Sequence, residues 1–217
     1  MLHPVLTLAL ILAAAVPAAP AVHEAAPAAS IAIGARLRSV ALEDLRARPL
    51  HHLGEHVEFA FQVAPAGPAP DPLWTRFSPV RWRHVRGWGD RQFPWVRAHF
   101  DDPAPFVFAR RGSPAEVVLG GARPHERYLV RATVREVALG EPWIEIHSAL
   151  RVEPSLAEGT VLHATKAVEL AEVGKLDLAI HQVNRALAAP MPDGARTELE
   201  RLSALWTARR DAAKRRR

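Results

Sequence analysis

The segment at residues 127–137 constrains the fold most, because apolar and polar side chains alternate along it. The apolar members of this alternation are Tyr128, Val130, Ala132 and Val134. The polar members between them include Arg131, Thr133 and Arg135. A period of two predicts a β-strand with one buried face and one solvated face. A turn around Gly140 then returns the chain into residues 143–147, which predicts a hairpin.

Other segments extend this sheet. Residues 57–63 alternate in the same way, with Val57, Phe59, Phe61 and Val63 on one face. Residues 64–72 contain four prolines, which cannot donate to a sheet, so an exposed loop is predicted there. Further strands are predicted at 76–83 and 106–110. In the closing strand, Ile144 and Ile146 are expected to face the core and Trp143 to face outward. The sequence predicts an α+β protein with a small, mainly antiparallel barrel of about five strands.

The opening Leu53-Gly54, the late strand from Tyr128 and the return from Gly140 resemble the first, fourth and fifth strands of an OB-fold, over residues 50–153. In that family, ligands lie across strands two and three, between the loop joining strands one and two and the loop joining four and five. The resemblance implies a ligand face that includes Trp74, Arg76, Trp82 and Arg83. The proline-rich loop would lie on one side of it and residues 139–142 on the other.

Helical patterns occupy the flanks of this barrel. A short helix is expected around 41–47, within a flexible leader at 22–49. Residues 155–213 form the predicted helical extension. Within it, residues 160–190 resemble one tetratricopeptide repeat with its turn at Gly174. A third helix is predicted to begin with Asp193 as its N-cap and to carry Leu199, Leu202, Leu205 and Trp206 on one side. The basic tail at 214–217 is expected to fray.

The N-terminus predicts export. Residues 5–16 form an apolar run, and Ala19-Pro20-Ala21 has the small-x-small pattern of a cleavage site, so 1–21 is predicted to be a signal peptide. An uncleaved anchor is the alternative, although the run is shorter than a membrane span needs. We expect a periplasmic or extracellular protein with no stable span after cleavage. The chain has no cysteine, which excludes disulfides and thiol catalysis.

Aromatic and cationic side chains concentrate in residues 74–100, which hold four of the six tryptophans and six arginines but one acid, Asp90. Indole rings stack on sugars and bases, and guanidinium groups pair with anions, so this segment is a candidate ligand surface. The predicted ligand-binding residues are Trp74, Arg76, Arg81, Trp82, Arg83, Trp88, Arg131, Arg135 and Trp143. Trp82 and Trp88 are expected to be exposed, Trp88 in a turn between Gly87 and Gly89. The alternative is that the rings belong to the core or cover the helical extension.

The sequence contains no pattern that requires catalysis. His51, His52 and His56 could join Asp101 and Asp102 around a metal, but their spacing matches no recognised zinc signature. Surface histidines are the alternative that we adopt. The serines have no nucleophile elbow around them. No catalytic residue, metal or cofactor is predicted.

Two functional hypotheses follow. In the first, an exported, non-catalytic module binds an anionic or sugar-rich polymer or envelope component, and its helical extension contacts a protein partner. A glycan or envelope component fits export better than nucleic acid does. In the second, the protein is a structural scaffold with protein contacts alone. An enzyme stays open as a third possibility.

Overall fold

The computed structural model describes residues 37–68 and 76–216, which contain six β-strands and six α-helices. The strands are β1 (Arg38–Ser39), β2 (His56–Val63), β3 (Trp82–Gly89), β4 (Ala104–Arg110), β5 (Arg127–Ala138) and β6 (Glu141–Arg151). The helices are α1 (Leu42–Ala47), α2 (Arg97–Phe100), α3 (Pro114–Gly120), α4 (Glu158–Glu172), α5 (Leu176–Leu187) and α6 (Asp193–Arg215), and a 3-10 turn spans Pro49–His52. The predicted signal peptide and residues 22–36 of the predicted leader lie outside the described residues.

A closed barrel is formed by β2, β3, β4, β6 and β5 in that order, because β5 pairs with both β6 and β2. Neighbouring strands of the barrel are antiparallel except β4 and β6, which are parallel. The two-residue β1 pairs in parallel with the start of β2. This arrangement confirms the α+β fold class with a small barrel followed by helices, and it is consistent with an OB-like barrel.

The alternating apolar positions of the strands meet inside the barrel. Among the side chains buried there are Val57, Phe59, Phe61, Val107, Tyr128, Val130, Ala132, Val134, Ile144 and Ile146. Leu42 and Leu45 from α1, and Ala115 and Leu119 from α3, pack into the same cluster. Each fully buried large side chain contributes about 1.5–3 kcal/mol to folding. The buried side chains of α1 and α3 therefore contribute to the stability of the barrel core.

The hairpin of β5 and β6 has the predicted turn at its tip. Leu139 and Gly140 both have positive φ angles, 57° and 77°, as a two-residue turn with a twist matching the strands requires. Val134 pairs with Ile144, and both side chains enter the core. Trp143, next to Ile144, therefore lies on the outer face of the barrel, as predicted.

The predicted strand at 76–83 is wrong, because the strand of this region is Trp82–Gly89. Residues 78–81 form a turn in which the amides of Arg81 and Trp82 donate to the Ser78 carbonyl, each at 3.0 Å. Gly87 was expected in a turn but lies within β3, where a Cβ atom would stand 2.1 Å from Phe61 Cδ2. Glycine at this position thus reflects the close approach of two strands.

The C-terminal helices form a second apolar cluster. Helices α4 and α5 make a hairpin whose turn contains Gly174 with a φ of 73°, as predicted. Helix α6 begins at Asp193, but its N-cap is Pro192 and no side chain caps it, so the predicted capping role of Asp193 is wrong. Leu199 and Trp206 are buried, whereas Leu205 is exposed. The helix continues to Arg215 and so includes the first two residues of the basic tail.

The connection between β3 and β4 joins the barrel to the helices. Trp95 is buried in the helical cluster, with Phe93 and Val96 packed against it. Arg127 of β5 makes two hydrogen bonds to the carboxylate of Asp90, at 2.8 Å and 2.5 Å. Part of the aromatic segment therefore serves as a seam between the two halves. Among the described residues, no helix has both the length and the apolar character that a membrane crossing demands.

Candidate functional site

An aromatic cluster covers the outer face of the barrel at β4 and β6. Trp143 stacks on Phe106 with ring centroids 4.3 Å apart, and Phe77 stacks on Phe108 at the same distance. Trp82 meets the Phe77 ring edge to face at 4.9 Å. The indole of Trp143 is 1% exposed because these rings close over it. Its predicted orientation is confirmed, but most of its surface is already in contact with protein.

Trp88 is also buried, at 1% exposure, so its predicted exposure and its predicted position in a turn are wrong. It lies in β3 between the rings of His125, at 5.5 Å, and Phe100, at 5.6 Å. The indole therefore fills a stacked layer beside the sheet. Trp74 lies outside the described residues. Of the four predicted tryptophans, Trp82 is the one described as partly exposed.

Most of the predicted ligand-binding arginines pair with glutamates. The pairs are Arg76 with Glu136, Arg83 with Glu116, Arg131 with Glu58, and Arg135 with Glu145. The hydrogen bond from Arg83, 2.6 Å long, lowers the pKa of Glu116. Each carboxylate cancels most of its partner's charge, so these four side chains attract an anion less than free arginines would. Sequence spacing did not indicate these pairs.

A groove of about 500 Å³ opens where β3 separates from β2. Ala64, Ala66 and Gly67 form one wall, and residues 82–86 form the other. Further lining comes from Phe77, Pro79, Phe108, Arg111, Leu119, Gly120, Ala122 and Pro124. The groove contains Trp82 and Arg83, two members of the ligand face that the OB resemblance implied, and lies beside the start of the proline-rich loop. The predicted residues Arg76, Arg81, Trp88, Arg131, Arg135 and Trp143 do not line it.

Arginines without an acidic partner among the described residues surround this groove. Arg86 and Arg111 line it, and Arg81 adjoins Trp82 in the chain. Arg110 pairs with Trp82 across the strands, so both side chains share the outer face. Arg123 lies between Ala122 and Pro124, which both line the groove. In the described part of the barrel, Arg48 is the other arginine that lacks such a partner.

Two groove residues were missed by the sequence reasoning, His84 and Arg86. They share the outer face of β3 with Trp82, at alternate positions. Nε2 of His84 donates to the Pro105 carbonyl, and burial lowers the pKa of this imidazole, with a smaller effect from Arg86. Burial therefore favours the neutral form of the ring, although the hydrogen bond to Pro105 acts in the opposite direction. A correct placement of the strand would have revealed the alternation of Trp82, His84 and Arg86.

The histidine cluster considered for a metal is divided between different partners. His52 Nδ1 lies 2.7 Å from Glu55 Oε2, whereas His56 Nδ1 lies 2.9 Å from the hydroxyl of Thr133. Asp101 pairs with Arg97 and Asp102 with Arg46. Among the described residues, no group of three or more potential metal ligands converges.

Comparisons with known proteins add no family to this description. Neither a protein family, nor a characterised protein, nor a solved structure matches the chain. The site is therefore defined by its own geometry, a groove flanked by arginines on a closed five-stranded barrel.

Proposed function

We propose that the barrel is a non-catalytic module that binds an anionic polymer or envelope component in the groove beside β3. The observation that carries this proposal is the distribution of charge. Among the described residues, Arg86 and Arg111 line the groove without an acidic partner, and Arg81, Arg110 and Arg123, next to lining residues in the chain or across the strands, also lack one. Most other arginines of the barrel, Arg48 excepted, pair with acids, as does Arg83 within the groove. Guanidinium groups recognise phosphate, sulfate and carboxylate oxygens through paired hydrogen bonds.

The proposed recognition of the ligand depends more on charge than on aromatic stacking. Trp88, Trp95 and Trp143 are buried, and Trp82 already contacts Phe77. A sugar-rich polymer would therefore have the exposed part of Trp82 as its main described stacking surface. The position of the groove beside the connection of β2 and β3 supports the OB-like interpretation, because OB-folds bind ligands in this region.

The second part of the proposal is that the helical extension binds a protein partner. Its hairpin resembles one tetratricopeptide repeat in sequence, and Leu162, Val173 and Leu178 on α4, α5 and their turn are exposed apolar side chains. Export through the predicted signal peptide would make a glycan or another envelope component a more accessible ligand than nucleic acid. Such a protein would act in the periplasm or outside the cell.

A structural scaffold is the second candidate. The observation that favours it is the use of the aromatic segment, because Trp88 is stacked within the protein and Trp95 joins the helical cluster. In this case the exposed apolar residues of the helices would bind protein, and the groove would have no polymer ligand.

A titration with defined polymers distinguishes the two candidates. The full chain is titrated with polyphosphate, a sulfated polysaccharide, polyglutamate and neutral dextran, at low and high salt, with calorimetry and tryptophan fluorescence as readouts. Binding of polyanions but not dextran, weakened by salt, supports the proposal, because released counterions make such binding salt-dependent. Binding of none of them, together with concentration-dependent self-association, supports the scaffold.

Two arginine variants sharpen this test. Arg86→Ala should weaken polyanion binding about tenfold, which corresponds to the ~1.4 kcal/mol of one charge-assisted contact, and reduce the salt dependence by about one counterion. Arg131→Ala is the matched control, because Arg131 is paired with Glu58 at 3.0 Å and lies outside the groove. Equal effects of both variants would contradict the groove as the binding site.

A further inference from the structure

The sheet of the barrel is incomplete along β3. Pairing between β2 and β3 covers Phe61–Val63 and Gly87–Gly89, and one further hydrogen bond, 2.9 Å long, joins the Ala64 amide to the Arg86 carbonyl. Beyond Ala64 the chain leaves the sheet at Pro65. The first half of β3 therefore has β4 on one side and the groove on the other.

The register of β3 shows which main-chain groups face this groove. Arg81 accepts a hydrogen bond from the Arg111 amide at 2.9 Å, so the alternate residues Arg83 and Val85 also direct their main-chain groups toward β4. The N–H and C=O of His84 therefore point away from β4, as does the Arg86 carbonyl, which accepts a hydrogen bond from the Ala64 amide. The Trp82 amide already donates a hydrogen bond to the Ser78 carbonyl. Among the described residues, the N–H and C=O of His84 and the C=O of Trp82 have no main-chain partner, so they form an open strand edge along the groove.

Charged side chains accompany this edge. The outer face of β3 presents Trp82, His84 and Arg86 in alternation, and Arg111 lines the groove beside them. In a strand added to β3, every second side chain would lie on this face, directly opposite these residues. An acidic side chain opposite Arg86 would complement the charge of this surface.

We propose that the groove takes an extended peptide segment with acidic side chains, which adds to β3 as a further strand of the barrel. This inference rests on the proposed anion-binding groove and names the class of its ligand. Main-chain hydrogen bonds to the edge would supply part of the affinity, and the arginines would select for acidic residues. Polyphosphates and polysaccharides have no peptide groups to pair with His84, so they would use the arginines alone.

The test compares acidic peptides that differ in their main-chain donors. A peptide with an even number of residues, about eight, alternating valine and glutamate would be made with N-methyl groups on either its odd or its even residues, because alternate residues of a strand point their N–H groups to opposite sides. The two peptides carry the same charge and the same number of methyl groups. We expect one of them to bind the full chain about tenfold or more weakly than the other, since it lacks the donors that face β3.

A second readout locates the peptide. Binding of the unmethylated peptide should slow hydrogen exchange of the His84 amide and leave that of Arg131 unchanged. Equal affinities of the two methylated peptides, without protection of His84, would overturn strand addition. If polyphosphate and polyglutamate then still bind, the anion-binding groove stands and this inference alone fails. If no polyanion and no acidic peptide binds, the proposed function fails as well.

Discussion

The indole of Trp88 and the imidazole of His125 lie face to face, with ring centroids 5.5 Å apart and planes inclined by 6°. His125 has a φ of 71°, a backbone conformation that costs energy for a residue with a side chain. Burial lowers the pKa of this imidazole. Folding therefore favours the neutral ring, and its protonation opposes the native state.

This relationship predicts a loss of stability in mild acid. Burial lowers the pKa values of His84, His125 and His147 from about 6.5, so the unfolded chain binds protons that the folded chain does not. Their stabilising effect is complete above about pH 6.5 and declines as the pH falls, by at most about 1.4 kcal/mol per pH unit for each proton. Urea unfolding at about pH 7.5 and about pH 5.5 should show this decline. In His125→Asn, which tolerates the positive φ, the decline should be smaller; an unchanged decline would contradict the role of His125.

The aromatic cluster predicts a large effect of Trp143→Ala. The variant leaves a cavity beneath Phe77, Phe106 and Phe108, so the free energy of unfolding should fall by about 3–5 kcal/mol. Val80→Ala is the control, because Val80 is 82% exposed and its truncation should change stability by less than about 0.5 kcal/mol. Urea unfolding measures both. Similar small changes in the two variants would mean that the cluster is not packed as described.

The close approach of β2 and β3 predicts that Gly87 tolerates no side chain. In Gly87→Ala, the new methyl group would meet Phe61 Cδ2 at 2.1 Å and the Gln62 carbonyl oxygen at 2.7 Å. Overpacking of this kind should cost about 1–3 kcal/mol. In Gly121→Ala the methyl group meets nothing within 4 Å, so thermal unfolding should distinguish the two. Equal melting temperatures would exclude the register of β2 and β3.

Arg46 predicts a third stability difference, this time between two ion pairs. Its guanidinium binds Glu141 at 2.7 Å and Asp102 at 2.8 Å and is 14% exposed. Arg46→Met would leave the carboxylate of Glu141, itself mostly buried, without this partner, so we expect a loss of about 2–4 kcal/mol. Arg97→Met removes a pair with Asp101 in which Arg97 is 86% exposed, and its effect should stay within about 0.5 kcal/mol. Chemical unfolding of both variants checks the contrast, and a loss in Arg97→Met as large as that in Arg46→Met would contradict it.

The parts of the fold that the sequence predicted correctly depend on local alternation. Strands β2 and β5 carry a regular period of two, and the turn at Gly140 is short, so few arrangements fit them. Strand β3 was misplaced because Gly87 and Gly89 resemble turn residues. Glycine is needed at these two positions because the Phe61 ring and the Glu43 carboxylate, both distant in the chain, occupy the space that a side chain would fill. Local propensity contains no information about such neighbours.

The candidate site was predicted in part for the same reason. The groove contains Trp82 and Arg83, two of the predicted residues, but the sequence could not show which arginines lack an acidic partner. Arg131 and Glu58 are 73 positions apart, and Arg76 and Glu136 are 60 apart. These pairs arise only when the barrel closes, so they change the surface that a count of arginines suggests.

The closure of β2 against β5 also determines when this chain can fold. His56 pairs with Thr133, 77 positions later, so no barrel exists until the hairpin of β5 and β6 has left the ribosome. Contacts of such long sequence separation slow folding, because a large loop must be ordered first. For most of its synthesis the nascent polypeptide therefore cannot bury the apolar faces of its strands inside a closed barrel.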